Sequence, residues 1–94
     1  MLDVRTPEEF AAGTLRGAVN IPVDELRGRV AELDSGRPTV TFCQVGQRGY
    51  VAQRILTQHG FSRVSNLKGG YDLARQFGVA KPAPAVQGDG ATSN

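Results

Sequence analysis

Apolar and polar positions along this chain fall into short blocks of alternating strand and helix character. Leu2-Asp3-Val4-Arg5 reads as the end of a strand. Thr6-Pro7-Glu8-Glu9 is a capping box with proline at the first helical position, and it predicts a short helix through Phe10, Ala11 and Ala12 that Gly13 stops. Ala18 to Ile21 reads as a strand ended by Pro22. Leu26, Val30 and Leu33 recur at helical spacing, with Asp24 as the expected cap and Gly28 as a weak point. Ser35 to Pro38 is a turn, and the β-branched run Thr39-Val40-Thr41-Phe42 predicts a buried strand. Val51, Ala52, Ile55 and Leu56 mark one face of a helix that His59-Gly60 ends. Arg63 to Leu67 predicts a strand, Lys68-Gly69-Gly70 a turn, and Tyr71 to Phe77 a last short helix.

Strands that alternate with helices predict an α/β fold with a parallel sheet flanked by helices. Ligands of such sheets sit beyond the carboxyl ends of the strands. That rule brings Asp3, Arg5, Cys43 and Lys68-Gly69-Gly70 to one crevice. From Gly78 onward the residues are small, polar and rich in Pro and Gly. This predicts a folded domain over 1–77 and a disordered tail over 78–94.

Composition narrows the function classes. Ninety-four residues suit one small domain, and eleven Lys+Arg against nine Asp+Glu leave a net charge of +2. The cations are scattered and not interleaved with aromatics, so neither nucleic acid nor a membrane surface is expected as a partner. A single cysteine excludes an internal disulfide and a cysteine-rich zinc site, and fits a reducing, cytoplasmic setting. No metal-ligand spacing and no nucleotide-binding loop is present, so no cofactor is expected.

The chemistry concentrates at Cys43. It ends the β-branched run, and Gln44, Val45, Gly46 and Gln47 separate it from Arg48, where a helical pattern begins. A loop of this kind can turn its backbone N–H groups inward, and the following helix adds its positive end. Both favour thiolate over thiol. Gly46 permits the tight curl, Gly49 lets the helix start close by, and Arg48 adds a charge that could attract an anionic substrate. The competing reading of Cys43 is a small buried hydrophobe.

The chain resembles the rhodanese domain family over residues 2 to about 77. The likeness rests on Asp3-Val4-Arg5, Glu8-Glu9-Phe10 with Gly13, Gly17-Ala18-Val19-Asn20-Ile21-Pro22, the Cys43 loop, and Leu67-Lys68-Gly69-Gly70-Tyr71. The loop Cys43 to Tyr50 is most similar to that of the rhodanese domain fused to flavin-dependent coenzyme A-disulfide reductases. The resemblance implies a sulfurtransferase. Its cysteine takes sulfur from a small sulfane-sulfur donor such as thiosulfate, becomes a persulfide and passes the sulfur to a thiol acceptor. By position, Cys43 is the nucleophile. Gln44, Val45, Gly46, Gln47, Arg48 and Gly49 form the substrate-binding cradle, and Asp3 and Arg5 are structural residues near the site. A flavoprotein partner is implied by the subfamily. The rhodanese-like sheet would lack its usual first helix and part of its first strand, leaving some core uncovered. Thr14 stands where the family usually has a histidine, at a position expected to be structural.

The remaining candidates have plainer readings. His59 suits a helix C-terminus. Glu8-Glu9 and Glu25 are expected to be a capping pair and a solvated face, and Tyr71 a packing residue. A phosphatase, the other chemistry of the fold, would place five residues between cysteine and arginine, where this chain has four. A third reading is an accessory sulfur-carrier or non-catalytic module acting with a flavin-dependent disulfide or polysulfide reductase.

Overall fold

The computed structural model describes residues 1–76 and the backbone of 77, 79 and 80. Four strands form a parallel sheet: β1 (Leu2–Asp3), β3 (Val19–Asn20), β4 (Thr39–Phe42) and β5 (Val64–Asn66), in the order β3-β1-β4-β5. β2 (Thr14–Leu15) pairs antiparallel with β6 (Val79–Ala80) in a separate ribbon. Val79 and Ala80, which fall within the tail expected over 78–94, pair with β2, and the rest of that tail, 78 and 81–94, lies outside the described residues.

Helix α1 (Pro7–Ala12) forms as its capping box dictates: the Thr6 hydroxyl accepts from the Glu9 N–H, and the Glu9 carboxylate accepts from the Thr6 N–H. The segment after Pro22 departs from expectation. It is a 3₁₀ turn (Val23–Glu25), a single helical turn α2 (Leu26–Arg29) and a second 3₁₀ turn (Val30–Glu32), and Asp24 caps none of them. Gly28 sits in the middle, where its backbone freedom weakens a continuous helix. What holds the segment is Leu26, 0 % exposed, with Val30 and Leu33 packed against the core. Arg29, half-buried, bridges the exposed Glu25 and Glu32.

The core gathers Leu2, Val4, Ile21, Leu26, Cys43, Ala52, Ile55, Leu56 and Phe61. Three of these lie on α3 (Gln47–Gln58), which packs on β4 and β5. Val51, expected on the same face, is instead half exposed. β5 runs into the Lys68–Gly70 turn, then α4 (Gly70–Ala74) and a 3₁₀ turn (Arg75–Phe77). A mostly apolar recess of about 430 Å³ opens between Met1, Leu15, Leu67, Leu73 and Ala74, edged by Arg16 and Lys68. No helix among the described residues is long and apolar enough to cross a membrane.

Candidate active site

Because β1, β4 and β5 are parallel neighbours, their carboxyl ends fall side by side. The loop after β4 lies between the loops after β1 and β5, which is the crevice the sequence predicts.

Cys43 follows the last residue of β4 and is 1 % exposed. The Gly46 N–H donates to its sulfur at 3.0 Å. Burial pushes the thiol pKa up, but the N–H groups of Gly49, Gly46, Val45 and Arg48 outweigh it, and the net shift is downward. These amides are fixed dipoles, so stabilising the thiolate requires no reorganisation. Gly46 sits at φ +121°, a backbone setting that favours glycine. The loop itself is partly open to solvent, with Val45 61 % exposed.

Side chains from the strands hold the loop carbonyls away from the sulfur. The Thr41 hydroxyl donates to the Gly49 carbonyl at 2.7 Å, and the Asn66 Nδ2 donates to the Gly46 carbonyl at 3.0 Å. A peptide whose oxygen is tied down on one side directs neighbouring N–H groups to the other. The Asn66 Oδ1 is buried with no hydrogen-bond partner among the described residues. It occupies the space a Cβ on Gly49 would need, so the close fit of α3 to the sheet depends on that glycine. In sequence Thr41 and Asn66 read only as strand residues, and the one signal of their role is a polar residue at or near the carboxyl end of a strand.

The loop after β5 clamps the other side. The Tyr71 N–H donates to the Cys43 carbonyl at 2.7 Å and the Asp72 N–H to the Gln44 carbonyl at 3.0 Å. Gly70, at φ +58°, lies so close to the Cys43 and Gln44 carbonyls that a Cβ would collide with both.

Asp3 and Arg5 form a buried ion pair beside the cysteine loop. Arg5 is 2 % exposed and Asp3 0 %. The Asp3 carboxylate accepts from the Arg5 N–H, Nε and Nη2 and from the Thr14 hydroxyl. Arg5 also donates to the Gly13 carbonyl and to Gln44 Oε1 at 3.0 Å, which ties this buried pair to the cysteine loop. Its guanidinium lies 4.2 Å from the Tyr71 ring centroid. Tyr71 is therefore half buried against this anchor rather than inside the core. The Gln44 side chain is held between Arg5 and Asp72.

Arg48, expected to add positive charge at the end of the loop, carries a counter-charge. It forms a two-pronged ion pair with Glu9 of α1 at 2.8 and 3.1 Å. Glu9, read from sequence as a cap alone, serves both roles. Gln47 is exposed at the first position of α3. His59 contacts the Ile55 carbonyl through Nδ1, as a residue closing a helix does. Among the described residues no group of three or more His, Cys, Asp or Glu could hold a metal ion.

The rhodanese-like domain family matches residues 1–75. A sulfurtransferase from Allochromatium vinosum is 36 % identical over 84 residues, covering 89 % of this chain and 78 % of that protein. The thiosulfate sulfurtransferase PspE of Escherichia coli is 33 % identical, covering 78 % of this chain and 72 % of its own. Among solved structures, reduced CoADR-RHD from Bacillus anthracis is 40 % identical with a TM-score of 0.75. It aligns with 84 % of this chain, which spans only 15 % of that longer protein. The human single-domain sulfurtransferase TSTD1 superposes at a TM-score of 0.70 and 32 % identity, over 81 % of this chain and 80 % of its own. With its parallel sheet, its cysteine loop and this match over residues 1–75, the chain belongs to the rhodanese-like domain family.

Proposed function

We propose that this rhodanese-type sulfurtransferase works through a persulfide on Cys43, with thiosulfate or a related sulfane-sulfur compound as donor and a small thiol as acceptor. The observation that carries the reading is the Gly46 N–H at 3.0 Å from the sulfur, backed by the other loop amides that lower its pKa. In the first step the Cys43 thiolate attacks the outer sulfur of thiosulfate. A new S–S bond forms, the old one breaks, and sulfite leaves with the bonding electron pair. The carried sulfur is then anionic, and amides set to stabilise one charged sulfur can stabilise it as well. In the second step an acceptor thiolate attacks that outer sulfur, takes it away as its own persulfide and returns Cys43 as thiolate. No net oxidant or reductant enters the cycle. A reducing cytoplasmic setting suits such a free thiolate.

Cys43→Ala is expected to abolish transfer from thiosulfate and from polysulfide, and mass spectrometry of the wild-type chain after donor treatment should show a gain of one sulfur on Cys43. Turnover that survives in the variant would reject the reading. An aryl phosphate assay separates this chemistry from that of a phosphatase, for which the four-residue loop is short.

The similarity to CoADR-RHD favours a second reading, in which the domain carries sulfur to or from a flavin-dependent disulfide or polysulfide reductase. Under it, persulfidated Cys43 forms normally, but its discharge is slow with small thiols and accelerates when a reductase of that class is added.

A further inference from the structure

The cysteine loop contains one cation, Arg48, and the structure gives it a fixed counter-charge. Both prongs of its guanidinium meet Glu9, at 2.8 and 3.1 Å, and the two side chains are 36 % and 32 % exposed. Glu9 is pinned from its own helix as well. Its Oε1 accepts from the Thr6 N–H at 3.0 Å and from the Thr6 hydroxyl at 3.2 Å. A carboxylate held by three donors on one oxygen and by Arg48 on the other has little freedom to release its partner. These bonds hold the Glu9 carboxyl at a pKa of about 2, so it remains ionised throughout the neutral range.

The other charges around the loop are balanced too. A recess on the Arg48 side is lined by Val23, Asp24, Arg27, Gln47, Arg48 and Val51, and adds one charge of each sign to the pair. On the Gln44 side, Arg5 is paired with Asp3 inside the protein, and Asp72, which accepts from Gln44 Nε2, and Arg75, which lines the recess beside Gln44, add one charge of each sign. Removing the Glu9 charge would therefore leave a net cation at the sulfur loop.

We propose that Glu9 is a specificity-determining residue. By holding Arg48 in a two-pronged pair at the base of the cysteine loop, it cancels the loop's one cationic side chain. The loop amides then act on the sulfur while the approach stays close to neutral, so anionic and neutral reactants reach Cys43 on similar terms. This goes beyond the sulfurtransferase reading, which assigns Glu9 nothing, and it does not require that sulfur be transferred.

The test compares the alkylation rates of Cys43 by iodoacetate, an anion, and iodoacetamide, its neutral counterpart. Their ratio cancels the thiolate fraction and reports charge along the approach. Glu9→Gln is suited to the purpose because glutamine can replace glutamate in a capping box, so α1 keeps its cap while the ion pair is lost. The ratio of iodoacetate to iodoacetamide rates is expected to rise about three- to tenfold in Glu9→Gln at low ionic strength, a change equivalent to roughly 1 kcal/mol of attraction. It should return to the wild-type value in Glu9→Gln/Arg48→Gln and fall below it in Arg48→Gln alone. An unchanged ratio in Glu9→Gln, or a rise that persists in the double variant, would overturn the assignment. Neither reagent donates sulfur, so a failed sulfur-transfer assay and a failed charge test remain distinct results.

Discussion

At Cys43 burial and backbone dipoles act in opposite directions on one sulfur. Burial disfavours charge, while the N–H groups of Gly49, Gly46, Val45 and Arg48 favour it and prevail. Alkylation by iodoacetamide followed against pH should therefore show a midpoint below the ordinary thiol value of about 8.5. Stability follows the same sign. A thiol whose folded pKa is depressed adds stability above its unfolded pKa, and that increment disappears as pH falls through the folded value. Wild type should gain on Cys43→Ser as pH rises through this window, which paired urea titrations would reveal. Asn66 acts on the sulfur at second hand, through the Gly46 carbonyl. Asn66→Ala is expected to raise the Cys43 pKa, read from thiolate absorbance. Its stability cost should stay within about 1 kcal/mol, since the lost bond is offset by removing an unpartnered buried oxygen.

Among the elements, the turn between β5 and α4 shows how a neighbouring loop shapes the site. Gly70 lets the chain pass against the Cys43 and Gln44 carbonyls, so that the next two N–H groups can bind those same oxygens. Gly70→Ala forces backbone against backbone, and neither side can rotate away. A loss of about 2–3 kcal/mol is expected from overpacking of this kind, measured by chemical denaturation. The cysteine loop should shift with it, so the depressed thiol pKa should rise as well. The 3₁₀–helix–3₁₀ segment after Pro22 illustrates the opposite case. Its apolar spacing gave the right buried residue, Leu26, although local geometry broke what the spacing predicts to be one helix.

Across the whole molecule the buried Asp3–Arg5 pair joins parts that are far apart in sequence. It receives the Thr14 hydroxyl, binds the Gly13 carbonyl and reaches Gln44. The Asn20 Nδ2 closes the other edge by donating to the Asp3 and Arg5 carbonyls. Asp3→Ala leaves Arg5 as a buried cation without its counter-charge, and a cost of about 3–5 kcal/mol is expected. A small domain has a total stability of roughly 5–15 kcal/mol, so the variant should unfold at far lower urea concentration or fail to fold at all. Circular dichroism during urea titration would decide it.

The parallel sheet, the cysteine at the carboxyl end of β4 and the capping of α1 follow from local rules, and those rules are written in consecutive residues. Thr39–Phe42 is a strand because β-branched side chains suit a pleated, buried surface. Thr6 and Glu9 cap a helix because they stand three positions apart. The ion pair between Glu9 and Arg48 spans 39 positions, and the bond from Asn66 to Gly46 spans 20. No local pattern encodes such distances. They exist because parallel strands bring their ends together, so that side chains with one meaning in sequence acquire a second one in space. The chain alone determined that a thiol would sit in an amide loop. Tertiary packing decided which carbonyls are tied back, which cation is neutralised, and hence what charge an approaching molecule meets.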